Sequence, residues 1–177
     1  MSKASRHRSA AARRPYTLVR RPTGGGAVPH SASGDDFTYA LAIPRRDPPP
    51  RCANRPLARV HRAVARALRL SGGAPDAAVL GDDPHLPAGP CFAKPVLGDV
   101  IDASGRKLAG AAQRRTRAGV LHQGSVQVRL RFEGFAALLA AQLAASSPEF
   151  QPPPEVEERI SARAAARFAA ADWIGRH

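Results

Sequence analysis

Cysteines, acidic residues and long apolar runs are scarce in this chain of 177 residues. The two cysteines, Cys52 and Cys91, are too few and too isolated for a disulfide framework or a metal site. No run approaches the roughly eighteen apolar residues of a transmembrane helix, and the N-terminus lacks the apolar segment of a secretory signal. We therefore expect a reduced, cytoplasmic protein with no bound metal and no membrane partner.

Acidic residues are absent from positions 1–34 and from Arg106 to Arg131, and the formal net charge is +13. A field of this sign favours acidic partners and speeds their encounter. Nucleic acid is the usual partner of such a charge. The chain has no zinc-finger spacing, RNP motif or aromatic-rich basic stripe, however, so no nucleic-acid partner is expected. A general compositional preference for arginine is an alternative explanation of the charge.

The length predicts one domain, large enough to bury a core. Residues 1–15 are charged and lack apolar periodicity, which predicts a disordered basic tail before a domain at 16–174. Strands are predicted at Tyr16–Val19, Phe37–Ile43, Val96–Ile101, Lys107–Ala112 and Gly119–Arg131. Helices are predicted at about 57–70, at 133–145 and from Pro154 to about Trp173. In the first helix the arginines face away from the apolar stripe, and we expect His61 at the surface.

The segment from Arg20 to His30, with the sequence RRPTGGGAVPH, concentrates groups that could bind a ligand. Its three glycines allow positive φ angles and a close approach of the backbone to a ligand, because none carries a Cβ. Two arginines precede the glycines, and a histidine follows them. A glycine-rich turn alone indicates little more than a turn, but a second stretch agrees with it.

That second stretch runs from Cys91 to Ser125 and contains CFAKP, GRKLAGAAQRR and LHQGS. Over roughly residues 16–145, the two stretches resemble the lipoate–protein ligase and octanoyltransferase family, which belongs with the biotinyl/lipoyl transferases. The family's glycine loop reads R-R-x-T-G-G-G-A-V-x-H. Its second signature reads G-x-K-[IL]-x-G-x-A-Q-x-R and precedes a hairpin that ends in His/Gln-Gly-Ser. The resemblance implies an α/β fold of the α+β type, with a central mixed or antiparallel sheet flanked by helices.

The resemblance also implies roles for individual residues. Lys107 would contact the reacting acyl group, where an ammonium stabilises the charge of the tetrahedral transition state. Cys91 matches the C-F-x-x-P cysteine of one octanoyltransferase branch, in which the thiolate takes the octanoyl group as a thioester. The other implied binding residues are Arg20 and Arg21 for an anionic group of the donor, Gly24, Gly25, Gly26, Gly110, Ala112 and Gly124 as pocket walls, and His30 and His122 to orient a group or move a proton.

Three functions remain open from the sequence. The ligase branch activates lipoate with ATP and magnesium, and commonly shows Asn-Asp where this chain has Gly98-Asp99. Asp99 could still help to bind magnesium, but the missing asparagine and the presence of Cys91 favour octanoyl transfer, which needs no cofactor. The implied partners are acyl carrier protein as donor, and lipoyl domains of 2-oxoacid dehydrogenases or the glycine cleavage H protein as acceptors. The third possibility is a non-catalytic basic module that binds these acidic domains.

The position of the glycine loop raises a further expectation. Catalytic domains of this family begin with a strand–helix–strand unit before the loop, whereas only about twenty residues precede it here. We therefore expect the N-terminal part of the domain to be lacking. Three explanations compete: a fragment or misplaced start, a second polypeptide that completes the fold, or a protein that no longer catalyses.

Overall fold

The computed structural model of the protein describes residues 19–30, 36–44, 55–81, 95–130, 132–168 and 170–174. Its elements in chain order are β1 (Phe37–Pro44), α1 (Arg55–Leu70), β2 (Ala78–Val79), β3 (Val100–Ile101), β4 (Lys107–Arg115), β5 (Gly119–Val126), α2 (Phe132–Leu143), α3 (Pro154–Phe168) and α4 (Ala171–Ile174). The described residues fall into two compact units, one of residues 23–148 and one of residues 19–22 with 149–174. Within these ranges, no helix has the length and apolarity that a bilayer crossing requires.

The larger unit is built on a five-stranded sheet in the order β1-β5-β4-β3-β2. Every neighbouring pair is antiparallel. β1 pairs with β5 along its whole length, from Phe37 opposite Val126 to Pro44 opposite Gly119. The predicted α+β class is therefore confirmed. Of the two predicted sheet types, mixed or antiparallel, the described sheet is antiparallel. The strands predicted at Phe37–Ile43 and Lys107–Ala112 are confirmed as well.

The connection between β3 and β4 combines a tight turn with a bulge. The Asp102 carboxylate accepts hydrogen bonds from the backbone N–H groups of Ser104 and Arg106, and Gly105 takes a φ of 81°. The Ser104 hydroxyl, followed by Arg106, lowers the pKa of Asp102 to about 2, because both stabilise its charged form. Beyond the turn, Ile101 pairs with Lys107 but Val100 pairs with Ala109, so β4 holds one extra residue.

α1 and α2 cover one face of this sheet. The stripe predicted on α1 is buried through Val60, Val64 and Leu68, and α2 adds Phe135 and Leu139 to the same core. The ring of Phe135 lies 4.8 Å from that of Phe37 on β1, centroid to centroid. Burial of this apolar surface, at about 25 cal/mol per Å², is the main force that holds the helices on the sheet.

Several predicted boundaries were wrong. β5 ends at Val126, not Arg131, because β1 begins at the residue that pairs with Val126 and offers no partner beyond it. The strand predicted at Val96–Ile101 is reduced to its last two residues, because Val96 to Asp99 form a turn with Gly98 at a φ of 89°.

Other predictions differ at the ends of the chain. The last helix does not reach Trp173 as one segment: α3 ends at Phe168 and α4 follows as a separate turn. Of the strand predicted at Tyr16–Val19, Val19 is not in a strand and residues 16–18 lie outside the described ranges. The tail at 1–15 and the domain limits at 16–174 therefore stay predictions.

Candidate active site

The central feature of the site is a buried ion pair between β4 and the turn before β3. The Nζ atom of Lys107 lies 2.6 Å from Oδ2 of Asp99, and both side chains are about 95 % buried, with 6 % and 5 % exposed. The same carboxylate oxygen accepts the backbone N–H of Val96 at 2.8 Å. A buried ammonium is costly unless it is paired, so Asp99 is what allows Lys107 to sit here. The sequence singled out both residues, and the structure brings them together.

Gly110 makes room for this ion pair. A Cβ atom at position 110 would lie 2.4 Å from Cε and 2.7 Å from Nζ of Lys107, and 3.0 Å from Oδ1 of Asp99. The first two distances are far below the 3.5–4.0 Å of an ordinary contact between non-bonded heavy atoms (approximate range). The small-residue wall that the sequence placed at Gly110 therefore adjoins the lysine.

His61 supports the turn that carries Asp99. Its Nδ1–H donates to the carbonyl oxygen of Gly98, the residue before Asp99. The side chain is 1 % exposed, so the prediction that His61 lies at the surface was wrong. Burial lowers the pKa of His61, against the opposing effects of the Gly98 carbonyl and Asp99. His61 lies three residues before Val64 on α1, and residues three apart share a helix face. This spacing was the signal that could have predicted its burial.

The glycine-rich loop lies on the same sheet face as Gly110. Cross-strand pairing sets Gly110 opposite Ser125 and Ala112 opposite Gln123, and side chains of alternate strand residues share a face. The Thr23 hydroxyl, just before the three glycines, donates to Oε1 of Gln123 at 3.2 Å. Lys107 and the start of the loop are thus held over one face of β4 and β5.

The loop itself has the backbone conformation that its glycines allow. Gly24 and Gly25 take φ angles of 76° and 90°, which residues that carry a Cβ rarely adopt. All three glycines are exposed. At the end of the loop, Nδ1 of His30 lies 2.6 Å from Oδ2 of Asp36, and the imidazole is 47 % exposed. His30 is thus a surface group tied to a carboxylate, and its predicted part in catalysis stays a prediction.

His122 and Gly124 face the opposite side of the sheet, under α1. Adjacent strand residues alternate, so His122 cannot share the face of Gln123. The imidazole is fully buried and lies 3.2 Å from both Tyr39 Oη and the Gln113 amide nitrogen. A Cβ at Gly124 would lie 2.4 Å from the Tyr39 ring, so this glycine accommodates the tyrosine. Both predicted binding residues are placed in packing contacts.

The contacts of His122 fit a neutral imidazole. The Gln113 amide donates to Nδ1, and Nε2–H donates to the Tyr39 hydroxyl. Burial, followed by the nearby His61, lowers the pKa of His122 to about 4. Burial also raises the pKa of Tyr39. Protonation of His122 would place an N–H on Nδ1 against the N–H group of the Gln113 amide. This unfavourable contact agrees with the lowered pKa of His122.

The described part of the larger unit does not include three of the predicted site residues. Cys91 lies outside the described residues, as does Cys52, so the predicted thioester stays a prediction. Arg20 and Arg21 belong to the smaller unit, in which the carbonyl oxygen of Arg20 accepts the indole N–H of Trp173 at 2.9 Å. Their contact with an anionic group stays a prediction.

The sequence did not predict Ser125 as a binding residue. Its hydroxyl is 1 % exposed and has no hydrogen-bond partner within the described part of the chain. It lies on the face of Gly110 and is paired with that residue. A buried hydroxyl without a partner is unusual, and it offers a donor or acceptor beside Gly110. Its place at the end of the LHQGS segment was the sequence signal that could have made Ser125 a candidate.

The described residues do not form a magnesium site around Asp99. Its Oδ2 is engaged by an ammonium and a backbone N–H, and a neighbouring positive charge opposes a divalent cation. In the described ranges, no three His, Cys, Asp or Glu side chains converge. The suggestion that Asp99 helps to bind magnesium therefore stays a prediction.

Comparison with known proteins identifies relatives of this chain. A profile of the lipoyl protein ligase A/B catalytic domain matches residues 3–161. Octanoyltransferase LipM of Moorella thermoacetica is 37% identical over 127 residues, which cover 69% of this chain and 44% of that protein. Its counterpart in Oceanobacillus iheyensis is 32% identical over 130 residues, covering 66% and 41%. The chain thus spans less than half the length of these curated relatives.

A solved structure supports the same fold. The putative lipoate protein ligase Ta0514 of T. acidophilum, with bound lipoic acid, superposes with a TM-score of 0.68 at 18% identity. The match covers 96% of this chain and 76% of that one. At this identity the likeness concerns the fold alone.

Proposed function

Because the chain belongs to the lipoyl protein ligase A/B catalytic domain family, we propose that it takes part in protein lipoylation as an octanoyltransferase. The donor is octanoyl-acyl carrier protein, the acceptor is a lysine of an acidic lipoyl domain, and Cys91 carries the acyl group between them. A free Cys91 thiol requires a reducing compartment, so a cytoplasmic location belongs to the same proposal.

The observation that carries the proposal is the buried Lys107–Asp99 pair on the face that also holds the start of the glycine loop. Acyl transfer passes through a tetrahedral intermediate whose carbonyl oxygen becomes an anion. A positive charge that is already fixed in place stabilises this oxyanion without reorganisation during the reaction. Asp99 fixes Lys107, Gly110 leaves it space, and His61 holds the turn on which Asp99 sits.

The two half-reactions balance as follows. The Cys91 thiolate attacks the carbonyl carbon of the donor thioester, the bond to the carrier sulfur breaks, and the carrier leaves as a thiolate that takes up a proton. The neutral amine of the acceptor lysine then attacks the Cys91 thioester. An amide forms, the amine loses a proton, and the Cys91 thiolate is released. No redox step, metal or nucleotide is needed, so we propose no cofactor.

The glycine loop and Ser125 complete the proposed acyl site. Backbone N–H groups of Gly24 to Gly26 line the side from which the acyl chain or its carrier arm approaches. Ser125 offers a buried hydroxyl beside Gly110 for a polar atom of the substrate. Arg20 and Arg21 are assigned to an anionic group of the donor.

The test is an intact-mass measurement of the purified chain after incubation with octanoyl-acyl carrier protein. We expect one added octanoyl group that hydroxylamine removes, because a thioester is labile to this nucleophile. Cys91→Ser should lose the adduct and Cys52→Ser should keep it, since Cys52 lies outside both motifs. Addition of a lipoyl domain should then move the octanoyl group to that domain as an amide.

Two other outcomes would overturn the proposal. An unmodified chain that nevertheless modifies the lipoyl domain when given lipoate, ATP and magnesium would be an ATP-dependent ligase. A folded chain that binds the lipoyl domain in a salt-sensitive manner, but yields no product under either condition, would be a binding module.

A further inference from the structure

Three arginines of α1 line a groove that the proposed acyl transfer does not use. Arg59, Arg62 and Arg66 form one wall, Gln142 of α2 forms the other, and Ala63 lies between them. The groove has a volume of about 230 Å³. It lies between the two helices of the larger unit and contains no residue of the Lys107 site.

Within the described part of the chain, the guanidinium groups of the groove have no carboxylate partner. All three arginines are exposed, and within the described ranges none of them has a hydrogen bond or an ion pair. α1 contains no acidic residue. Arg69, on the same helix, differs from them because it donates to the carbonyl oxygen of Ala77 and so anchors a loop. Among the described residues, the groove arginines make no comparable contact.

The spacing of the three arginines sets the shape of the anion that they can bind. Positions 59, 62 and 66 are related as i, i+3 and i+7, which places them within an arc of about 60° over about 10 Å of helix. A second helix that carries carboxylates at i, i+3 and i+7 has the same spacing of charges. One phosphate group, by contrast, matches a single guanidinium fork at a time. Ala63 keeps the space between the walls open for the partner.

We propose that this groove binds an acidic helix of a partner protein through one carboxylate for each arginine, with Gln142 as a further hydrogen-bonding group. The net charge of +13 draws such a partner to the surface, and the groove determines where it docks. The proposal rests on the α1–α2 geometry and is independent of the acyl transfer.

The test uses a helical peptide with glutamates at i, i+3 and i+7 as the probe, and its binding to the full chain is followed by fluorescence anisotropy. The control peptide has the same composition, with its glutamates distributed around the helix. Replacing Arg59, Arg62 and Arg66 by glutamine should weaken binding of the first peptide at least about tenfold, as expected for the loss of three exposed ion pairs. Binding should also weaken with salt.

A matched variant separates the groove from net charge. Arg117, Arg159 and Arg163 are exposed arginines outside the groove, and their replacement by glutamine removes the same formal charge. This variant should bind the first peptide within about twofold of the parent. Circular dichroism establishes that both variants are folded.

A charge exchange provides an independent check if the triple variant is unstable. Arg62→Glu should lose binding of the first peptide, and a peptide with lysine at the matching position should restore it. The proposal is overturned if neither peptide binds, if both bind equally, or if the two triple variants lose equal affinity. It is also overturned if inorganic polyphosphate occupies the groove more tightly than the peptide, because the site would then be a phosphate site.

Discussion

Gly110→Ala tests the Lys107–Asp99 pair without removing either charge. The added Cβ would lie 2.7 Å from Nζ of Lys107, so the ammonium has to retreat by roughly 1 Å to restore a normal contact. The ammonium lies 2.6 Å from Asp99 and is 6 % exposed, so this movement separates a buried pair. Deleting one partner of such a pair costs about 3–5 kcal/mol, which sets an upper limit for displacing one partner while both charges remain.

We expect the free energy of unfolding of Gly110→Ala to fall by about 1–3 kcal/mol, as for an extra methyl group in a packed interior, because both charges remain. The lysine chain is flexible, and Asp99 keeps the N–H of Val96, so part of the loss is recovered. Equilibrium urea denaturation followed by circular dichroism measures the change. Gly134→Ala is the matched control, because a Cβ there meets nothing within 4 Å and the residue lies in α2. It should be neutral or gain about 0.5–1 kcal/mol.

A second background separates the ion pair from general crowding. In Lys107→Ala the two closest colliding atoms are absent and only Asp99 Oδ1, at 3.0 Å, remains near the added Cβ, so adding Gly110→Ala should cost less stability than in the parent chain. An equal loss in both backgrounds would show that the glycine does not act through the lysine. Unchanged stability of Gly110→Ala in the parent chain would contradict the close packing of residues 107 and 110.

Three further predictions concern the same region. Lys107→Met should slow acyl transfer by about 10²–10³-fold in a single-turnover assay, as for loss of one oxyanion donor, and unimpaired transfer would remove the lysine from the mechanism. His61→Leu should lower the free energy of unfolding by about 1–3 kcal/mol because the Gly98 carbonyl loses its donor. His61→Asn, whose amide can donate to that carbonyl, should recover part of this loss in urea denaturation. If both variants lose the same free energy of unfolding, the packing of the imidazole ring matters rather than its hydrogen bond. Because His122 has a folded pKa of about 4 against an ordinary 6.5, the unfolded chain binds the proton first as the pH falls. Its contribution, about 3 kcal/mol, should be complete above pH 6.5 and lost towards pH 4, and denaturation across this range should show a weaker dependence on pH in His122→Gln.

The motifs identified the chemistry but not its arrangement. Lys107, Asp99 and Gly110 could be found from the sequence because side-chain type and motif position carry that information. That Lys107 reaches Asp99 through the space that a Cβ at position 110 would fill depends on the bulge between β3 and β4. A bulge shifts pairing by one residue and leaves no clear mark in the hydrophobic pattern.

His122 illustrates the opposite case. The LHQGS segment made both His122 and Gly124 candidates for binding, yet they pack against Tyr39 under α1. The neighbouring Gln123 and Ser125 face the site instead. Strand periodicity predicts that adjacent residues face opposite sides, but it does not say which side is covered by helices. Only the placement of α1 decides that.

The sequence by itself determined the amphipathic helix α1, the strands β1 and β4, the positive-φ glycine loop and the residues that carry the proposed chemistry. These features follow from local preferences and from side-chain type, which a chain expresses over a few neighbouring residues. The tertiary structure decided that Lys107 is paired and buried, that His61 is inside the protein, and that three arginines meet Gln142 across two helices. These are contacts between segments distant in the chain, and they exist only once packing has chosen which faces meet.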